Sequence, residues 1–147
     1  MQISDILSEK RILTDLCSSG KRQLLEDISE RIAKEYKYDK SSIFEAMLER
    51  ENLGSTGYGN GVAFPHARIP GLQKIITFFV RLDKAVDYEA IDDKPVDLLA
   101  VMISPENSGD DHLRTLSEFS RILKNAEICR LVRKAKNKHD IYLALQN

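Results

Sequence analysis

Ile75-Ile76-Thr77-Phe78-Phe79-Val80-Arg81-Leu82 and Val96-Asp97-Leu98-Leu99-Ala100-Val101-Met102-Ile103 are the two stretches that decide the fold. A strand with one wet face alternates apolar and polar residues. These two run almost unbroken through β-branched, aromatic and aliphatic residues, so each reads as an interior strand covered on both faces. Asp92-Asp93-Lys94-Pro95 supplies the turn before the second. Helical patterns lie on either side of the pair along the chain, and buried strands flanked by helices imply a layered α/β domain.

Toward the N-terminus, Leu24, Leu25, Ile28 and Ile32 recur at helical spacing and predict an amphipathic helix over Lys21–Glu35. Ser42 with Glu45 reads as a capping box opening a second helix that runs to about Glu51, with Ile43, Met47 and Phe44 inward. Ahead of these, Ser4 caps a short helix through Leu7, and Arg11–Leu16 reads as a brief strand ended by Ser18-Ser19-Gly20. Val62-Ala63-Phe64 is a short strand that Pro65 ends, because proline has no N–H for a ladder. Toward the C-terminus, Asp110 or Asp111 caps a helix starting near His112, with Leu113, Leu116, Phe119 or Ser120, and Leu123 as its apolar face. Two further helical segments, Ile128–Lys134 and Asp140–Leu145, close the chain. No repeat or linker divides it, so one domain over residues 1–147 is expected.

Bulk properties narrow the function. The chain has 147 residues, 42% apolar and 31% charged, which suffices for a core without disulfide or metal staples. Basic and acidic residues, 22 against 23, nearly cancel, so no global field favours nucleic acid or an anionic membrane. Any anion site must be local. Cys17 and Cys129 lie far apart in apolar patterns and read as buried free thiols. No apolar run spans a bilayer and the N-terminus lacks signal-peptide features, so a reducing, cytoplasmic location is expected.

Four of the seven glycines fall within eight residues, Gly54 to Gly61, followed by Val62-Ala63-Phe64-Pro65-His66. Such a cluster could let several amide N–H groups converge on an anion, with His66 standing where the anion would be held. It is neither a dinucleotide fingerprint, since Val62 occupies the place of the third glycine, nor a P-loop, since no Gly-Lys-Ser/Thr follows. Neutral imidazole beside an anion site suits phosphoryl transfer through nitrogen. Arg50, at the rim of the glycine stretch, reads either as a phosphate donor or as a solvated charge paired with a glutamate. His112, just after a buried strand, reads either as a site residue or as an ordinary surface histidine. His139 sits in a lysine-rich stretch and carries no assigned role.

Arg50-Glu51-Asn52-Leu53-Gly54-Ser55-Thr56-Gly57 and Gly59-Asn60-Gly61-Val62-Ala63-Phe64-Pro65-His66 closely resemble the signature of type-2 IIA components of the bacterial phosphoenolpyruvate-dependent phosphotransferase system, the fructose/mannitol class. Ala67-Arg68-Ile69-Pro70-Gly71-Leu72, Ala90–Leu99 and Asp111-His112-Leu113-Arg114-Thr115-Leu116-Ser117 look most like its nitrogen-related branch. The resemblance runs from about Ile3 to Leu143. It implies a three-layer α/β/α sandwich, a mixed sheet with helices on both faces. It also implies that His66 accepts a phosphoryl group on Nε2 from a histidine-containing phosphocarrier protein of the HPr or NPr type. His112 and Arg50 fall on the family's other active-site positions. Ser55, Asn60, Gly59 and Gly61 match motif positions expected to bind phosphate or shape its nest. No cofactor and no metal are implied. The expected output is regulatory, through phosphorylation-dependent binding to partners such as potassium-transport and sensor systems.

Where the family has glycine after the histidine, this chain has Ala67, which is therefore expected at negative φ. Three other readings compete. One is a sugar-uptake IIA component that passes phosphate to a IIB protein, and another is a binding module that has lost transfer. The third is a metal hydrolase using His66, His112 and Asp110 or Asp111, which lacks a closely spaced ligand motif.

Overall fold

The computed structural model describes residues 2–146; Met1 and Asn147, the ends of the expected 1–147 domain, lie outside the described residues. The two deciding stretches form β5 (Ile76–Val86) and β6 (Val96–Pro105), antiparallel neighbours at the centre of a mixed six-stranded sheet. Strand β1 (Ile12–Leu13) adds in parallel to β5. On the other edge of β6 lie β3 (Val62–Ala63) and β4 (His66–Ile69), both parallel to it, and β2 (Gly57–Gly59) pairs antiparallel with β3.

Alternation along β5 and β6 sorts their side chains into two cores. Phe78, Val80, Leu99, Val101 and Ile103 pack against α2 (Lys21–Tyr36) and α3 (Lys40–Asn52). Phe79, Leu98 and Ala100 pack on the opposite face, against α1 (Ile3–Ile6), α4 (Asp110–Leu123), α5 (Ala126–Lys134) and α6 (Lys138–Leu145). Both faces are covered, as continuous apolar strands require. This is the expected three-layer α/β/α sandwich. No helix among the described residues is long and apolar enough to cross a membrane.

Local expectations are corrected in several places. Helix α3 begins before Ser42, because Asp39 is the N-cap and its carboxylate accepts from the Ser42 N–H at 3.2 Å. Helix α1 likewise starts earlier, with Gln2 as N-cap rather than Ser4. The strand expected over Arg11–Leu16 shortens to β1: a 3₁₀ turn over Glu9–Arg11 takes its first residue, and residues 14–16 leave the sheet. Gly109 at φ 58° turns the chain into α4, and neither Asp110 nor Asp111 caps it with a side chain. That helix is rotated from the expected phase: His112, Thr115, Phe119 and Ile122 are buried, while Leu113 is 64% exposed. His139 belongs to α6 and pairs with Glu9. Both cysteines are free, but Cys17 is exposed and only Cys129 is buried.

Candidate functional site

Strands β3 and β4 follow one another along the same side of β6, with a break between them. Val62 and Ala63 register with Leu98 and Leu99, and His66 registers with Met102 further along β6. At the break Met102 N–H donates to the Pro65 carbonyl, while the Phe64 carbonyl takes the ring of His66 instead, 2.8 Å from Nδ1. A carbonyl can only accept, so Nδ1 carries the hydrogen and the lone pair resides on Nε2. Among the described residues Nε2 has no partner. Burial, and secondarily the positive charges of Arg50 and Arg68, lower the His66 pKa below its ordinary 6.5, against the opposing pull of the Phe64 carbonyl. The ring is therefore neutral and nucleophilic at pH 7.

Helix α4 brings His112 across the cavity, 5.7 Å from His66 between ring centroids. It is 5% exposed, so the surface reading of this residue is wrong. Burial chiefly, then Arg68 and His66, hold its pKa down to about 4. Its Nδ1 lies 2.5 Å from Ser104 Oγ, at the end of β6.

Two guanidinium groups complete the wall. Arg50, in the last turn of α3, folds over the glycine stretch and donates to the Gly54 carbonyl at 2.8 Å, not to a glutamate. Arg68 shares the outward face of β4 with His66, because alternate strand residues point the same way. It donates to the Glu106 carbonyl at 3.2 Å and to Ser108 Oγ at 3.0 Å. Among the described residues neither arginine has a carboxylate partner. His66 and Arg50 line two adjoining cavities of about 330 and 310 Å³; Arg68 and His112 line the first, Ser55 the second. A larger cleft, about 620 Å³ and lined in part by Arg11, Lys74 and Asp111, shares no residue with them.

The glycines are used differently from the amide nest expected of them. Asn60 at φ 57° and Gly61 at φ 81° form the two-residue turn of the β2–β3 hairpin, where both positions need positive φ. Asn60 N–H donates to Asp92, and its carbonyl accepts from Arg133. Gly59, Asn60 and Gly61 line neither cavity at His66. Thr56 and Gly57 N–H groups are engaged by Glu51 and by Ser55 Oγ, and the Ser55 hydroxyl itself donates to the Tyr88 carbonyl. Behind this loop Glu51 is buried, accepting from Thr56 and Tyr88 and paired with Lys21 at 3.1 Å. Ala67 is absent from the positive-φ residues, as expected.

Arg68, Ser104, Glu51 and the Phe64 carbonyl escaped the sequence reading. Only Arg68 had a local signal, two residues beyond His66 on what proves to be a strand. No group of three or more His, Cys, Asp or Glu among the described residues is placed to hold a metal.

Fold and site together define an α/β protein with a neutral imidazole in a cavity lined by Arg50, Arg68, His112 and Glu49. Residues 5–147 match the family model for the phosphoenolpyruvate-dependent sugar phosphotransferase system, EIIA 2, and the chain belongs to that family. It is 37% identical over 145 residues to the nitrogen regulatory protein of Bradyrhizobium diazoefficiens, covering 99% of this chain and 95% of that one. The crystal structure of nitrogen regulatory protein IIA-Ntr from Neisseria meningitidis superposes with a TM-score of 0.90 at 31% identity, covering 97% and 98% of the two chains. Enzyme IIAMTL of Escherichia coli, solved in complex with phosphorylated enzyme IIBMTL, shares the fold, with a TM-score of 0.78 at 16% identity over 95% and 96%.

Proposed function

We propose that the protein is a phosphohistidine carrier of the nitrogen-related phosphotransferase branch. His66 Nε2 accepts a phosphoryl group from a histidine-containing phosphocarrier protein, and phosphorylation state then governs binding to regulated partners, potassium-transport and sensor systems among them. The observation that carries this is the orientation of His66. Its Nδ1–H is held by Phe64, leaving a lone pair with no partner among the described residues in a cavity lined by Glu49 and by two arginines that, among those residues, have no carboxylate partner.

The chemistry follows from those positions. The Nε2 lone pair attacks phosphorus as the bond to the donor's ring nitrogen breaks, and that bond's electron pair returns to the donor. Positive charge develops on the His66 ring and is stabilised by the Phe64 carbonyl. Arg50 and Arg68 neutralise the three equatorial oxygens, while His112 holds one by a hydrogen bond. Ser55 keeps the adjoining loop in place through Gly57 and Tyr88. A macromolecular donor suits the apolar rim, where Leu53 is 82%, Ile91 76% and Tyr58 42% exposed.

The test is incubation of wild type and His66→Ala with phosphoenolpyruvate, enzyme I and the phosphocarrier, followed by intact mass. One added phosphate on wild type and none on the variant is expected; an unlabelled wild type, or an undiminished variant, would overturn the reading in favour of a binding module. A second reading, a sugar-uptake component that passes phosphate to a IIB protein, is favoured by the shared fold with IIAMTL. Transfer of label from the phosphorylated chain to a fructose- or mannitol-class IIB protein would select it.

A further inference from the structure

Ser104 stands on β6 at the register position opposite Arg68 and is 0% exposed. Its hydroxyl has one partner among the described residues, His112 Nδ1 at 2.5 Å. A single hydrogen lies between them, and the two ways of placing it are not equivalent. If the imidazole donated, the hydroxyl hydrogen would be buried with no acceptor. If the hydroxyl donates, Ser104 is satisfied and the imidazole keeps its own hydrogen on Nε2, away from β6.

We propose that Ser104 is a positioning residue that donates to His112 Nδ1 and so locks His112 as the Nε2–H tautomer, making it a hydrogen-bond donor toward the cavity it shares with His66. The two facing rings then carry opposite tautomers. His66 keeps its hydrogen on Nδ1 against Phe64 and offers a lone pair; His112 receives a hydrogen bond on Nδ1 and offers an N–H. The tautomer matters because burial and Arg68 keep His112 neutral at pH 7, and a neutral imidazole has only one N–H to give. With the other tautomer His112 would present a lone pair to a phosphoryl oxygen and repel it. The role in transfer rests on the carrier reading above; the tautomer does not.

Long-range ¹H–¹⁵N correlation spectra of the unphosphorylated full chain at pH 7 read the tautomer of each ring. We expect His112 as Nε2–H and His66 as Nδ1–H in wild type. In Ser104→Ala, which removes one oxygen, His112 should lose its single tautomer, and labelling by the phosphorylated phosphocarrier should slow about tenfold. Should that variant fail to fold, the wild-type spectrum decides alone. An Nδ1–H tautomer of His112 in wild type overturns the assignment, as does a folded Ser104→Ala variant that keeps the Nε2–H tautomer; where wild type is labelled, an unchanged labelling rate in that variant overturns the role in transfer. A wild type that shows Nε2–H but takes no phosphate leaves Ser104's role in setting the tautomer standing and removes the carrier reading.

Discussion

At the scale of single residues, the site is built from partners that neutralise one another's ambiguities. His66 has two ring nitrogens, and the Phe64 carbonyl decides which one keeps the hydrogen and which the lone pair. Arg50 and Arg68 are held by carbonyl and hydroxyl oxygens, which orient a guanidinium without cancelling its charge. Their positive field therefore remains available to an anion. Charge-assisted hydrogen bonds of this kind contribute about 1.5–3 kcal/mol, so Arg68→Gln should slow labelling of His66 by roughly tenfold or more, with partial recovery in Arg68→Lys. Labelling time courses at fixed phosphocarrier concentration measure this, and wild-type speed in the glutamine variant would show that Arg68 takes no part. His66, Arg50 and His112 were legible in the motif, and the structure brings all three together. Arg68 was not, because Pro65 reads as the end of a strand that in fact resumes at His66.

The glycine stretch shows how an element, rather than a residue, prepares the site. The Asn60-Gly61 turn reverses the chain so that β3 can join β6, and Gly57 lets β2 pass close to Ala90. A Cβ on Gly57 would lie 2.8 Å from both the Cα and the Cβ of Ala90. Backbone must then shift, and overpacking of this kind costs about 1–3 kcal/mol. Gly57→Ala should lower the urea midpoint accordingly; an unchanged midpoint would mean that the hairpin yields freely. Helix α4 teaches a related lesson. Leu113, Leu116, Phe119 and Leu123 have acceptable helical spacing, yet the buried face is turned to include His112 and leave Leu113 outside. A polar residue inside and an apolar one outside are what periodicity alone counts as errors, and places where local pattern and packing disagree are expected at functional or strained positions.

For the whole molecule, the sheet separates two cores and the site opens where β4, α3 and α4 meet. Enclosing His112 there has a consequence for stability. Its folded pKa of about 4 lies below the ordinary 6.5, so between those values the unfolded chain binds more protons and stability falls as pH falls. The native state should lose on the order of 1 kcal/mol from this group between pH 7 and pH 5, after allowance for solvent screening at the cavity mouth. Urea titrations at both pH values should show that increment in wild type and not in His112→Gln. An equal loss in both would place the acid sensitivity elsewhere.

A layered α/β class, the two central strands, the main helices and the candidate histidine were legible in the sequence alone, because apolar runs and a dense motif are local properties; the three-layer order came from the family resemblance those motifs carry. Which partners take the loop amides, which nitrogen of His66 keeps its lone pair, that Arg68 lines the cavity and that Ser104 meets His112 were decided only by the tertiary structure. The physical reason is the same in each case. Hydrogen-bond partners such as Ser104 with His112, Asn60 with Asp92, and Arg68 with Ser108 are chosen by strand register and helix rotation, and these emerge only when the separate elements pack.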